Sequence, residues 1–177
     1  MSRVALLDVN VLIALFHPRH IHHDVAHDWF ADEHGSGWAT CPLTENGFLR
    51  VLGNPTRGDA FVPISVLSGH LKTFCASRGH EFWPETISLR DERLFDLSLA
   101  RGHRQITDIY LLGLAVKRAG RFVTFDQGVP LGAVRGATRA SLAVLSTAES
   151  ASATTHASPE VVSAEQVRIL GKRKSVK

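Results

Sequence analysis

The amino-acid sequence predicts an α/β fold: a three-layer α/β/α sandwich around a central parallel sheet. Short apolar runs, such as residues 3–7 and 121–125, have the length and composition of buried strands. Segments with apolar residues at helical spacing separate these runs. Because strands that alternate with helices form parallel sheets covered on both faces, this pattern favours the sandwich.

The first half of the chain contains two predicted strands and three predicted helices. Asn10 is the expected N-cap of the first helix, and Pro18 follows its end. Pro42 can occupy the first position of the third helix, which Gly53 ends. In chain order these elements are a strand over residues 3–7, a helix over 11–16, a helix from 21 to 34, a strand over 38–40 and a helix from 42 to 52.

The second half begins with a loop over residues 54–59, which is rich in Asn, Pro and Gly. Thr107 is the expected cap of the last helix, and Gly120 closes it. The elements after the loop are a helix opened by Pro63, a strand over residues 81–83, helices over 92–100 and 107–117, and strands over 121–125 and 141–145.

At 177 residues the chain is long enough for one domain with a substantial core. We place this domain over residues 1–145 and a flexible tail over residues 146–177. Residues 146–158 are nearly all Ser, Thr and Ala, which bury too little apolar surface to fold. From Ser150 onward, five basic and two acidic residues account for the whole net charge of +3. The basic character therefore belongs to the tail and is weak evidence for a nucleic-acid groove in the domain.

We expect a cytoplasmic protein that is not associated with a membrane. No stretch approaches the roughly 20 apolar residues of a membrane helix, and the N-terminus lacks the features of a signal peptide. The two cysteines, Cys41 and Cys75, fit that compartment as buried thiols. Since neither belongs to a C-x-x-C pair, the sequence does not favour a zinc site.

Four acidic residues occupy positions where strands end or helices begin. Asp8 and Asp126 follow predicted strands, Asp108 opens a helical pattern, and Glu45 lies in the first turns of another helix. Because sites in parallel α/β folds gather at the carboxyl ends of the strands, three of these side chains are expected at one edge of the sheet. Carboxylates that converge repel one another unless a cation offsets their charge. The four residues therefore predict a metal-dependent enzyme.

Each of these acidic residues also has a structural explanation. Asp108 can satisfy a helix N-terminus, Asp126 can form a turn, and Glu45 can be a solvated helix residue. Asp8 is the hardest to explain in this way, because it lies between apolar residues at the end of a strand expected to be central. An unpaired charge at such a position is costly.

The ligand types indicate a hard cation, since neither cysteine nor a well-placed histidine accompanies the acids. Mg²⁺ and Mn²⁺ prefer oxygen ligands and retain several waters. Such an ion can activate water and stabilise charge on a phosphoryl oxygen, which suits a phosphodiester substrate. Asn10, Thr107 and Thr124 can orient the acids by hydrogen bonds. Helix capping by the first two residues and the strand propensity of the third are equally good explanations.

Other polar residues have two interpretations each. Six histidines lie within residues 17–34, and His23 and His27 can share a helix face. A transition-metal site there is an alternative to the simpler interpretation of a polar surface near the site entrance. Gln105, just before the third acidic segment, can contact a base or face water.

Four segments resemble the motifs of PIN-domain ribonucleases, in particular VapC-type toxins of bacterial toxin–antitoxin modules. In order, they are residues 6–15 (LLDVNVLIAL), 44–51 (TENGFLRV), 107–115 (TDIYLLGLA) and 124–126 (TFD). Their order and spacing match those of the family, and the resemblance spans residues 3–145. One motif alone would be weak evidence for the family, but four motifs in the same order are specific evidence.

The resemblance implies a PIN-like α/β/α sandwich with an Mg²⁺ or Mn²⁺ site. By motif, the acidic site would be formed by Asp8, Glu45, Asp108 and Asp126. The resemblance also implies endoribonuclease activity on RNA, inhibition by a cognate antitoxin, and a homodimer. The tail after residue 145 is longer than these toxins usually carry.

We therefore expect a divalent-metal-dependent endoribonuclease, the toxin of a type II toxin–antitoxin system, which hydrolyses RNA with a metal-activated water. A PIN-like module that binds RNA or protein without cleavage is the main alternative, and the intact set of four acids argues against it. A phosphoacceptor receiver domain would need paired acids after the first strand, whereas Val9 and Asn10 follow Asp8. A DNA nuclease of related architecture is a further alternative.

Overall fold

The computed structural model describes residues 3–56 and 61–146. Its strands lie side by side in one sheet, and every neighbouring pair is parallel. The strands are β1 (Ala5–Leu7), β2 (Trp38–Thr40), β3 (His80–Phe82), β4 (Arg121–Thr124) and β5 (Leu142–Val144). Their order across the sheet is β3-β2-β1-β4-β5, so β1 is central. The predicted central parallel sheet is confirmed.

Helices connect the strands and cover the sheet. They are α1 (Val9–Phe16), α2 (His23–Glu33), α3 (Pro42–Leu52), α4 (Ile64–Cys75) and α5 (Ile106–Lys117). All five were predicted, with bounds that differ by a few residues. The second helix begins at His23 instead of Ile21, and the Ile21 side chain is 84% exposed instead of buried on a helix face.

Alternate residues of each strand point to opposite faces of the sheet and enter two separate cores. Leu7 and Val123 pack on one face with residues of α1, α2, α3 and α4. Leu6 and Phe122 pack on the other face with α5 and the segment around Phe95. The molecule is therefore an α/β/α sandwich, in which burial on both faces explains why the central strand β1 is continuously apolar.

The predicted helix over residues 92–100 is wrong. This segment contains only turns and one short 3₁₀ turn at Leu97–Leu99. Phe95 forms an antiparallel bridge with Val134, and the Asp96 N–H donates to the Ala133 carbonyl at 2.9 Å. Because the Leu94 carbonyl and the Asp96 N–H pair with this distant segment, they do not form the helical hydrogen bonds that local propensity favours.

Both predicted helix caps need correction. Asp8, not Asn10, is the N-cap of α1, and its side chain accepts a hydrogen bond from the Val9 N–H. Thr107 lies inside the first turn of α5, which begins at Ile106 after Gln105. In both places the helix begins earlier than the sequence pattern indicates, so Asp8 becomes the N-cap of α1 and Asp108 lies within the first turn of α5.

The last described strand ends close to the predicted domain boundary. The Leu145 N–H donates to the Thr124 carbonyl at 2.8 Å and extends the pairing of β5 with β4. The predicted tail lies, apart from Ser146, outside the described residues. Within residues 3–56 and 61–146, no helix combines the length and the apolar character that a membrane span requires.

Candidate active site

Asp8 is positioned by the junction of β1 and α1 and is only 4% exposed. Both of its carboxylate oxygens accept hydrogen bonds. Oδ1 accepts a hydrogen bond from the Val9 N–H at 2.6 Å, and Oδ2 accepts one from the Thr124 hydroxyl at 2.7 Å. Burial raises the pKa of Asp8 and outweighs the hydrogen bonds, which lower it, while the charge of Asp126 raises it further. A cation would offset the cost of this buried charge.

The Thr124 hydroxyl links two of the acidic residues. It donates to Asp8 and accepts a hydrogen bond from the backbone N–H of Asp126 at 3.1 Å. The Asp126 carboxylate in turn accepts the Gly128 N–H at Oδ1, at a distance of 2.6 Å. Asp126 therefore forms the turn that its sequence context suggested and also lies at the same sheet edge as Asp8.

Asp108 belongs to the same group of carboxylates. It lies in the first turn of α5 and is half-buried. Burial, followed by the charges of Asp8 and Asp126, raises the pKa of Asp108 to about 7. Since like charges have this effect over short distances, the structure brings three of the four predicted acids together.

Glu45 has different neighbours. Its Oε1 accepts a hydrogen bond from the hydroxyl of Thr40, the last residue of β2, at 2.6 Å. Its charge acts on the Cys75 thiol and on the His80 ring. Glu45 therefore lies beside the three aspartates in the sheet order, since β2 neighbours β1, but its carboxylate is engaged with a separate set of side chains.

Asn10 and Thr107 are exposed in the structure. Asn10 acts on the site through its backbone N–H, which lowers the pKa of Asp8. Among the described residues, neither side chain donates a hydrogen bond to an acidic residue. Within the described residues, Thr124 is the only one of Asn10, Thr107 and Thr124 whose side chain forms a hydrogen bond to an acidic residue of the site.

Gln105 has a positioning role that the sequence did not indicate. Its Nε2 donates to the Gly128 carbonyl at 2.6 Å, and its Oε1 accepts the Arg101 N–H at 2.8 Å. These bonds join the exposed basic loop before α5 to the turn that follows Asp126. Because the partner is 23 residues away, no local pattern could predict this contact.

The predicted histidine pair packs two helices together. His23 Nδ1 lies 2.7 Å from the Ala14 carbonyl, and His27 Nε2 lies 2.9 Å from the Leu15 carbonyl. The last carbonyls of a helix lack partners within the helix, so both rings satisfy the end of α1 and join α2 to it. Burial lowers the pKa of His27, which favours the neutral ring.

The donor set of the three aspartates fits a hard divalent cation. All ligand atoms are carboxylate oxygens, and the buried Asp8 is held with both oxygens in fixed positions. Among the described residues, three potential ligand atoms lie within 4.8 Å of one another in a different group, which consists of Glu45, Cys75 and His80. The aspartates are more widely spaced. Mg²⁺ suits such a site, because it retains several waters that can bridge to the protein.

Comparison with known proteins supplies the family. No family model matches the sequence. Ribonuclease VapC44 of Mycobacterium tuberculosis (strain ATCC 25618 / H37Rv) is 46% identical over 143 residues, which are 80% of this chain and 99% of the relative. This chain belongs to the VapC ribonuclease family. Ribonuclease VapC38 of the same strain is 46% identical over 126 residues, 71% of this chain and 87% of the relative. Ribonuclease VapC39 is 40% identical over 122 residues, 69% of this chain and 88% of the relative.

VapC membership confirms the resemblance based on the four sequence motifs. It agrees with the five-stranded parallel sheet and its two helical layers. The VapC44 alignment covers nearly all of that protein but 80% of this chain. The three VapC relatives are matched over 87–99% of their length, and this chain has residues beyond the match.

Proposed function

We propose that this VapC family member is a divalent-metal-dependent endoribonuclease and the toxin of a type II toxin–antitoxin system. Its ribonuclease activity and toxin role follow from the family. The metal dependence is supported above all by the geometry of Asp8, a carboxylate only 4% exposed that the Thr124 hydroxyl links to Asp126. In addition, burial and the charges of Asp8 and Asp126 raise the pKa of Asp108 to about 7. A bound cation would offset that repulsion.

In this proposal Asp8, Asp108 and Asp126 hold Mg²⁺ or Mn²⁺, and Glu45 completes the acidic set from the side of β2. When bound, the ion supplies a polarised water and stabilises negative charge on a phosphoryl oxygen. The substrate is RNA, whose phosphodiester oxygens can enter the shell of a hard cation.

The neighbouring groups of the chain keep the acids in place. Thr124 and the Val9 N–H orient the two oxygens of Asp8, and the Gly128 N–H orients Asp126. Groups that orient metal ligands in this way strengthen metal binding. Asp108, with a pKa of about 7, can hold or release a proton near neutral pH while no ion is present.

Asp8→Asn tests the proposal. The amide keeps the size of the side chain but removes its charge, so we expect folding to persist and Mg²⁺-dependent RNA cleavage to fall by about 10²–10³-fold or more. Asp28→Asn, on the exposed side of α2, is the matched control and should cleave at the wild-type rate. Cleavage is followed on labelled RNA with and without EDTA, and a wild-type rate for Asp8→Asn contradicts the assignment.

We further propose that the protein is a cytoplasmic homodimer that binds a cognate antitoxin. Light scattering tests the dimer: the purified chain should have twice its monomer mass of 19.4 kDa. Addition of the antitoxin should stop RNA cleavage. A monomer at all protein concentrations would remove the dimer from the proposal without affecting the nuclease assignment.

A further inference from the structure

A second group of potential metal ligands is separate from Asp8, Asp108 and Asp126, the three aspartates that we call the acidic edge. Glu45 is in the first turn of α3, Cys75 is the last residue of α4, and His80 begins β3. One ligand atom from each side chain lies within 4.8 Å of the other two. All three residues are half-buried. The end of α4, the start of β3 and the more distant helix α3 therefore bring a thiol, an imidazole and a carboxylate to one point.

The residues around this group hold it in position. The Thr40 hydroxyl, which is fully buried, donates to Glu45 Oε1 at 2.6 Å and lies 2.8 Å from His80 Nε2. The His80 ring packs on the Trp38 ring, with centroids 4.5 Å apart. Contacts of this kind orient the ligands of metal sites before the ion binds.

The donor chemistry differs from that of the aspartates. Sulfur and imidazole nitrogen select zinc and similar transition metals, whereas sites made only of oxygen select Mg²⁺ or Mn²⁺. A tetrahedral zinc ion with bonds of about 2.0–2.3 Å places its ligand atoms roughly 3.5 Å apart. Since the three atoms already lie within 4.8 Å of one another, small side-chain movements would close the group around such an ion. Three protein ligands leave a fourth position for water.

We propose that Glu45, Cys75 and His80 form a second metal site, which binds Zn²⁺ or another thiophilic divalent ion. The bond to Thr40 engages one oxygen of Glu45, and the other oxygen provides a ligand atom. Binding forms a metal–sulfur bond and transfers the thiol proton of Cys75 to solvent. Affinity therefore increases with pH.

The site has a consequence for catalysis that rests on the proposed function. Glu45 belongs to both ligand sets, since the second sequence motif assigns it to the acidic edge and the structure places it beside Cys75 and His80. A zinc ion bound to Glu45 would keep this carboxylate beside Cys75 and His80, so that it cannot join the three aspartates. Zn²⁺ is therefore an inhibitor of Mg²⁺-dependent cleavage by this protein.

Titration of the full-length protein with Co²⁺, a spectroscopic substitute for Zn²⁺, tests the site directly. Excess Mg²⁺ fills the acidic edge during the titration. We expect thiolate-to-cobalt absorption in the near ultraviolet, together with the visible bands of tetrahedral cobalt. Both should saturate at one equivalent and disappear when Zn²⁺ is added.

Two variants and two controls make this test specific. Cys75→Ser should lose the thiolate absorption, and His80→Ala should bind Co²⁺ at least about tenfold more weakly, the loss that even outer-shell partners cause. His70→Ala, on the same helix as Cys75, and Cys41→Ser, at the N-cap of α3, should behave as wild type. Circular dichroism verifies that each variant folds. Thiolate absorption that persists in Cys75→Ser, or none in the wild type, overturns the site.

The inhibition is tested separately on RNA. One equivalent of Zn²⁺ should slow Mg²⁺-dependent cleavage by the wild type and leave Cys75→Ser unaffected. Equal inhibition of both proteins would overturn the link between the site and catalysis. If neither protein cleaves RNA in Mg²⁺ alone, the proposed function fails, whereas the metal site is still decided by the cobalt spectra.

Discussion

At the scale of single residues, the site depends on how a buried charge is held. Asp8 is enclosed at the end of the central strand, and its two oxygens have one backbone donor and one hydroxyl donor. Hydrogen bonds to a charged group contribute about 1.5–3 kcal/mol, more than those between neutral groups. Thr124 is therefore the uncharged side chain with the largest expected effect on the acidic edge.

Replacement of Thr124 by Val should weaken both folding and metal binding. The variant keeps the shape but leaves Asp8 Oδ2 without its donor, so the free energy of unfolding should decrease by about 1–3 kcal/mol. Mn²⁺ affinity should fall about 10–100-fold, as for other groups that orient metal ligands. Urea unfolding and calorimetry measure the two effects. Thr124→Ser retains the hydroxyl and should stay close to wild type in both, and a Val variant as stable as wild type would contradict this role.

The raised pKa of Asp108 predicts how the stability of the metal-free protein depends on pH. The pKa is about 7 in the folded state and near 3.8 in the unfolded chain. Between these values the folded state holds more protons than the unfolded state, so stability decreases as the pH rises from about 4 to about 7. In EDTA, Asp108→Asn should therefore raise the melting temperature at pH 8 and change it little at pH 4.

The rise in melting temperature expected for Asp108→Asn at pH 8 distinguishes a half-buried carboxylate from an exposed surface charge. Asp28→Asn, at an exposed position, serves as the control and should show no such pH dependence. Saturating Mg²⁺ should reverse the order at pH 8, because the wild type gains more from the ion than Asp108→Asn does. A melting temperature of Asp108→Asn below that of wild type in EDTA at pH 8 would disprove the predicted repulsion.

At the scale of elements, close packing of α1 against α3 positions the acidic edge. Gly47 faces Val9, the residue after Asp8, and a Cβ atom at Gly47 would lie 2.5 Å from Val9 Cγ2. The two helices therefore approach more closely than any larger residue would permit. The N-terminus of α1, where Asp8 is the cap, depends on this contact.

Gly47→Ala should reduce stability although alanine favours helices. The added methyl group would displace Val9, and we expect the free energy of unfolding to fall by about 1–3 kcal/mol. Gly69→Ala on α4 is the matched control, because no atom lies within 4 Å of its added Cβ. It should raise stability by about 0.5–1 kcal/mol through helix propensity. Denaturant unfolding of both variants distinguishes a packing effect from a backbone effect. Equal changes in the free energy of unfolding would contradict the proposed contact of Gly47 with Val9.

At the scale of the whole molecule, the strands of the sheet position two sets of candidate metal ligands. The strands β1 and β4 carry Asp8, Thr124 and the turn with Asp126, whereas β2 and β3 carry Thr40 and His80. One set offers only oxygen, and the other offers sulfur, nitrogen and oxygen. In our two proposals, neighbouring strands therefore provide ligands for ions of different chemistry.

The domain boundary proposed near Leu145 can be tested by truncation. A chain that ends at Ser146 keeps β5 and the Leu145–Thr124 hydrogen bond. We expect it to melt within about 2 °C of the full-length protein, since a change of 1 kcal/mol corresponds to roughly 2–8 °C in domains of this size. It should also retain RNA cleavage. A large loss of stability would show that residues after 146 belong to the folded domain.

The sequence by itself determined the order of strands and helices, the parallel sheet, and the identity of the acidic residues. These features follow from periodicity, composition and short motifs, which are local properties of the chain. Only the tertiary structure decided which acids interact, that Thr124 connects two of them, and that Glu45 lies beside Cys75 and His80. The helix predicted around Phe95 is absent because this segment pairs with the distant residue Val134. Pairing between distant residues depends on the packing of the whole chain, and local propensity contains no information about it.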